Sequence, residues 1–194
     1  MRRLLLEHAL LPAGFAADVA LDVDGGRIVS VTPESAETGR ERIGGIAVPG
    51  MPNLHSHAFQ RGMAGLAEIS GPADDSFWTW RKVMYHFLEE LIPEDIQVIA
   101  TYAYIEMLEA GFSTVGEFHY LHNDASGRAY DAPEELSLRI IEAARESGIN
   151  LTLLPCFYAY GQVGGGAPEA GQRRFIKDVD GFCDLMERTQ KALA

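Results

Sequence analysis

The chain of 194 residues carries 16 Lys+Arg against 28 Asp+Glu, a formal charge of −12, and 47% of it is apolar. That apolar content excludes a disordered chain, and the lack of a short repeat excludes a collagen-like one. The acidic balance argues against nucleic acid or an anionic membrane surface as partner, since both attract Lys/Arg-rich faces. At about 150 residues per domain, the length reads as one domain, or one plus a small appendage. Cys156 and Cys183 stand in no metal or redox spacing and read as free thiols of a reducing compartment. Residues 1–6 begin like a secretory signal, but Glu7 and His8 break the run and no clean cleavage site follows. No stretch approaches the roughly 18 uncharged apolar residues of a membrane span, so the expected location is the cytoplasm.

Residues 1–48 read as β structure. Val19, Leu21 and Val23 alternate with polar or small residues, Asp24-Gly25-Gly26 makes a turn, and Ile28-Val29-Ser30-Val31 returns. A loop rich in Glu, Ser and Thr follows. Gly44-Gly45 then lead into the apolar run Ile46-Ala47-Val48, stopped by Pro49-Gly50. A helix begun near Asp75-Ser76 covers residues 78–88. A stronger one opens at Pro93, where a first-turn proline loses no hydrogen bond and Glu94-Asp95 complement the dipole. Ile96, Ile99, Ala103 and Met107 recur at helical spacing, and Gly111 supplies a left-handed stop. A strand is expected over 113–120, then a helix opened by Pro133-Glu134-Glu135 and closed by Gly148. A strand over 151–160, a mobile glycine-rich loop over 161–171, and a helix over 174–193 weakened by Gly181 complete the chain. From residue 48 the order is β-α-β-α-β-α, which implies parallel strands with right-handed crossovers. It fits a doubly wound sheet or the opening of a (β/α)8 barrel. No G-x-G-x-x-G or Walker A loop supports nucleotide binding.

The sharpest feature is Pro49-Gly50-Met51-Pro52-Asn53-Leu54-His55-Ser56-His57. In an extended segment side chains alternate, so His55 and His57 project to the same side. Two imidazoles so placed can ligate one divalent ion such as zinc, at about 2.0–2.1 Å. A bare H-x-H also reads as a polar turn. Its place after a short apolar strand and a Pro-Gly stop, where strand ends face a barrel mouth, favours the metal.

The block resembles the first-strand metal motif of the amidohydrolase superfamily, whose members join an N-terminal β-sandwich piece to a (β/α)8 barrel. The resemblance extends through P-G-M-P-N-L-H-S-H-A-F-Q-R-G-M-A-G-L-A-E at 49–68, D-S-F-W-T-W-R at 75–81, G-E-F-H-Y at 116–120 and G-Q-R-R-F-I at 171–176. Together these are similar to the branch of that superfamily that deiminates N-formimino-L-glutamate in histidine degradation. The resemblance implies an α/β fold: a β-sandwich piece over 1–48, then the first three β-α units of an incomplete metal-dependent hydrolase (β/α)8 barrel over 49–194. It implies one divalent metal ion, zinc by family expectation, with His55 and His57 as two of its ligands. It also implies Gln60, Arg81 and Tyr120 as contacts of a small dicarboxylate substrate. The reaction would yield N-formyl-L-glutamate and ammonia, and the full-length assembly would be a homodimer.

The chemistry of the residues agrees for Arg81, whose planar fork binds a carboxylate in bidentate fashion. From spacing alone, Arg81 reads as a solvated helix charge, Gln60 as a loop amide and Tyr120 as a packing residue. Period two sets Val115, Glu117 and His119 on one face of the second strand, with Thr114, Gly116, Phe118 and Tyr120 on the other. If the first face points into the barrel, Glu117 is a buried acid needing a partner, and His119 is a candidate support for the site near its mouth. Tyr120 then reaches the site only where the chain turns. His86 and His122 read as surface or packing residues, and the Trp78/Trp80 pair as packing.

A (β/α)8 barrel takes about 250 residues, and only three β-α units fit here. The family's later-strand histidine ligands, proton-shuttling Glu and water-orienting Asp have no counterpart, so no catalytic residue is assigned. The expectation is therefore the N-terminal part of a longer enzyme, inactive by itself, with exposed strand edges prone to aggregation. The competing readings are an aminohydrolase of purine or triazine rings and a non-catalytic half-barrel module.

Overall fold

The computed structural model describes residues 1–67 and 77–193, and the chain divides into two compact units, Met1–Gly50 and Met51–Ala194. In the first unit β1 (Arg2–Leu11), β2 (Gly14–Asp24), β3 (Arg27–Thr32) and β4 (Glu41–Ala47) form a mixed sheet ordered β3-β2-β1-β4. The signal-like start is thus β1, whose Leu6 and Ala9 pack with Val19 of β2. Gly25 and Gly26 turn the chain between β2 and β3 at φ 54° and 78°, a conformation that favours glycine.

The second unit holds β5 (Met51–Ser56), a 3-10 helix (Ala58–Met63), α1 (Phe77–Glu90), α2 (Pro93–Glu109), β6 (Phe112–His119), α3 (Glu135–Ser147), β7 (Asn150–Pro155), a 3-10 turn (Ala170–Gln172) and α4 (Val179–Leu193). Its sheet, β5-β6-β7, is wholly parallel. One correction follows for the apolar run at 46–48. Ile46 and Ala47 end β4 in the first unit's sheet, and the histidines belong to a separate segment, His55 on β5 and His57 just past its end. Pro52 hid that strand, yet among the described residues β5 pairs on one side only, where a residue without N–H is tolerated.

Helices α2 and α3 follow their sequence signals. Asp95 accepts a hydrogen bond from the Ile92 N–H at 3.1 Å, and Gly111 and Gly148 terminate the helices at φ 90° and 83°. The core between helices and sheet gathers Ile96, Ala100 and Tyr104 of α2, Leu136 and Ile140 of α3, and Val115 of β6. Val115 and Glu117 therefore face the helices, and Phe118 faces the opposite side. Gly116 is required by close approach: a Cβ there would lie 3.2 Å from the Leu54 carbonyl oxygen of β5.

Two predicted boundaries move. β7 ends at Pro155 instead of running to residue 160, because proline cannot continue the ladder. α4 starts at Val179 rather than 174, because Asp178 caps it: its Oδ1 accepts the Gly181 N–H at 2.8 Å. Among the described residues, no helix is long and apolar enough to cross a membrane.

His119 and His122 are buried side by side, with ring centroids 5.8 Å apart. Burial pushes His119 down to about 3 and His122 to about 4, from an ordinary 6.5. The unfolded chain takes up these protons near pH 6.5 and the native chain does not, so stability present above 6.5 is lost as pH falls towards 4. The slope is up to about 1.4 kcal/mol per pH unit for each ring. Glu117, raised by its own burial, acts with the opposite sign as it protonates. Thermal melts should show a midpoint falling from pH 6.5 to 5, with a shallower fall in His122→Asn. A midpoint independent of pH over that range would refute this account.

Candidate active site

A register irregularity between Asn53 and Ser56 sets three steps of β5 against two of β6 in the stretch that holds His55. Such bulges re-aim side chains. At its end Ser56 turns inward beside Glu117, and His55 and His57 stand together with their Nε2 atoms 3.1 Å apart. His57 Nδ1 lies 2.7 Å from the Phe118 carbonyl oxygen. A carbonyl only accepts, so Nδ1 carries the proton and donates, which leaves the Nε2 lone pair facing His55. Burial lowers the His57 pKa, the Phe118 bond opposes, and His55 lowers it further, with the net result favouring the neutral ring that ligates metal.

Two nitrogens each about 2.0–2.1 Å from one ion at a tetrahedral angle lie about 3.3 Å apart, close to the separation here. The pair fits a shared divalent ion. Among the described residues, no group of three or more His, Cys, Asp or Glu side chains could hold one.

Both histidines line a cavity of about 630 Å³ that also takes in Gln60, Arg81, Tyr85 and Tyr120. Gln60 sits on the 3-10 helix after β5, where its backbone N–H donates to the His57 carbonyl at 2.9 Å. Its Nε2 donates to Tyr120 Oη at 3.0 Å. Tyr120 is buried, its ring set edge-on to His57 and Phe59, and burial raises its pKa so that it stays a neutral phenol. Arg81 projects from α1 with its guanidinium over the rings of Trp78 and Tyr85, at 5.6 and 5.0 Å, and Nε donates to Tyr85 Oη. Its two terminal nitrogens have no partner among the described residues.

Five predicted site residues, His55, His57, Gln60, Arg81 and Tyr120, therefore share one cavity. His119 does not line it. It is buried on the opposite face of β6 with Glu117, next to His122, because that face packs against helices. The tryptophans part company: Trp80 lines the cavity and Trp78 is exposed. His86 is exposed and His122 is buried. The glycine-rich loop closes on itself, with Gly161 N–H donating to Gly166 O and Gln172 Nε2 to Gly161 O. Glu68, Asp75 and Ser76 lie outside the described residues. Tyr85, Phe175 and Gln172 are cavity residues that sequence reasoning missed. Only Tyr85 left a trace, four residues beyond Arg81 on one helix face.

The profile of the amidohydrolase family matches residues 46–189. The chain belongs to the amidohydrolase family. The family's barrel accounts for β5, β6 and β7 as its opening strands, and the mixed sheet as its sandwich-like start. The chain is 50% identical over all its 194 residues to the formimidoylglutamate deiminase of Pseudomonas aeruginosa, of which it covers 43%. The solved structure of an amidohydrolase from Brucella melitensis superposes with a TM-score of 0.94 at 48% identity, over all of this chain and 43% of that one. Atrazine chlorohydrolase TrzN from Arthrobacter aurescens, solved with zinc, shares the fold at a TM-score of 0.72 and 22% identity, over 93% of this chain and 40% of that one. This amidohydrolase chain thus spans less than half the length of the relatives it matches.

Proposed function

We propose that this chain carries the first-strand metal ligands and the carboxylate-binding wall of a deiminase that hydrolyses N-formimino-L-glutamate to N-formyl-L-glutamate and ammonia. The carrying observation is that one cavity holds both a converging histidine pair and an arginine fork whose terminal nitrogens have no partner among the described residues. Identity to the Pseudomonas deiminase supports the same substrate. Zinc is the ion we assign to His55 and His57, with further ligands beyond the described residues; it would activate water for attack on the formimino carbon. Arg81 takes one substrate carboxylate through its terminal nitrogens. Gln60, with its amide N–H given to Tyr120, keeps Oε1 to accept the substrate N–H, and the Tyr120 O–H, which donates to Met84 Sδ at 3.7 Å, would turn from that weak acceptor to the substrate. The walls of Trp80, Phe118 and Phe175 exclude water from the substrate's methylene chain. Histidine breakdown in the cytoplasm is the setting this chemistry fits.

The test is calorimetric titration of N-formyl-L-glutamate into the chain. Arg81→Ala should weaken binding about 30-fold, the scale of one or two charge-assisted hydrogen bonds. A purine or triazine that binds equally well to both proteins, with no response to the dicarboxylate, would replace this reading with a ring aminohydrolase.

A further inference from the structure

Arg81 belongs to α1, but its aim is set by a neighbour outside the roles assigned so far. Tyr85, one turn further along, accepts the Arg81 Nε–H at its hydroxyl, and the guanidinium carbon stands over its ring, 5.0 Å from the centroid. The tyrosine is itself wedged. Gly171, in the segment after β7, approaches so closely that a Cβ there would collide with the Tyr85 ring, and Phe175 packs 6.1 Å from it, centroid to centroid. Burial keeps Tyr85 a protonated phenol. A flexible arginine thereby becomes a fixed fork, because occupying Nε and the planar face leaves only the two terminal nitrogens for a ligand.

We propose that Tyr85, braced by Gly171 and Phe175, is the positioning residue that aims the Arg81 fork at a ligand carboxylate in the cavity. The proposal rests on the reading of Arg81 as a carboxylate anchor. It assigns a role to the G-Q-R-R-F-I block at 171–176 as well: its glycine leaves room for the ring that orients the arginine.

The chain's two tryptophans, Trp78 and Trp80, lie just before Arg81, whose guanidinium stands over the Trp78 ring, and they report on it. N-formyl-L-glutamate is titrated against their fluorescence in the full chain and in Arg81→Ala, Arg81→Lys, Tyr85→Phe and the Arg81→Lys/Tyr85→Phe double variant, with a thermal melt of each. The wild type should show a saturable change that Arg81→Ala shifts about 30-fold to higher ligand concentration. Tyr85→Phe should raise Kd about 10-fold with an unchanged melt, the scale of one hydrogen bond to a charged group. In the Arg81→Lys background, where no Nε–H exists to be held, Tyr85→Phe should cost nothing more. If it weakens binding equally in both backgrounds, or in neither, the positioning role falls and the anchor role of Arg81 stands. If Arg81→Ala binds like the wild type, or the wild type does not bind, the anchor reading falls and the positioning role with it.

Discussion

Zn²⁺ or Co²⁺ titrated into the wild-type chain should bind reversibly, be removed by a chelator, and bind at least about 100-fold more weakly to His55→Ala or His57→Ala. Loss of an outer partner of a ligand costs about 10–100-fold in affinity, and loss of one of two ligands should exceed that. The two Nε2 atoms already stand 3.1 Å apart, so little side-chain freedom is lost on binding. With Co²⁺ the visible spectrum reads coordination directly. Because catalytic zinc ordinarily needs three protein ligands, the loaded chain should release no ammonia from N-formimino-L-glutamate. Equal affinity in the wild type and both variants would remove the metal from this site. Ammonia release that depends on the added ion would show that the chain needs no further ligands.

Arg174→Ala should destabilise the Met51–Ala194 unit by about 3–5 kcal/mol, since each buried carbonyl left without its donor costs about 1–3 kcal/mol. Arg174 is buried, and its guanidinium donates to the carbonyls of Leu88, Leu91 at 2.9 Å and Asn123 at 3.1 Å. Leu88 lies in the last turn of α1, where carbonyls lack helical partners and the helix dipole is negative, so a cation there satisfies both. Its own carbonyl accepts the N–H groups of His122 and Asn123, so one residue ties α1 to the chain leaving β6. Alanine would strand three carbonyls in the interior. Arg174→Lys keeps the charge but cannot span all three, and should fall between. Urea denaturation measures both, and a loss below about 1 kcal/mol for Arg174→Ala would contradict this account.

Much of the site was legible because strand and helix periods are simple. The common side of His55 and His57 follows from period two, and the limits of α2 and α3 from Pro93, Gly111 and Gly148. The orientation of β6 was not legible, because a parallel strand is covered on both faces and its polar residues alternate without a clear inner side. Only the packing of Val115 against α2 and α3 decides it. The start of α4 was misread because Arg174 and Phe175 look helical by spacing, whereas the buried arginine is engaged by carbonyls far away in sequence. β5 was displaced by a proline that an edge strand tolerates. Tyr85 and Gly171 are separated by 86 residues, and no local pattern joins them.

The hydrogen bond from His57 to the carbonyl of Phe118 has a consequence for how this protein can vary. Every residue type presents the same carbonyl, so position 118 can change its side chain through evolution and still set the tautomer of His57. What the contact depends on is the alignment of β5 with β6, and that alignment is guarded two residues earlier. At Gly116 even one methyl group would press on the backbone of Leu54, next to His55. Drift in the histidine pair should therefore follow changes at this glycine, whereas the tautomer of His57 does not depend on which side chain stands at 118, even though the Phe118 ring packs 4.4 Å from His55 and walls the cavity.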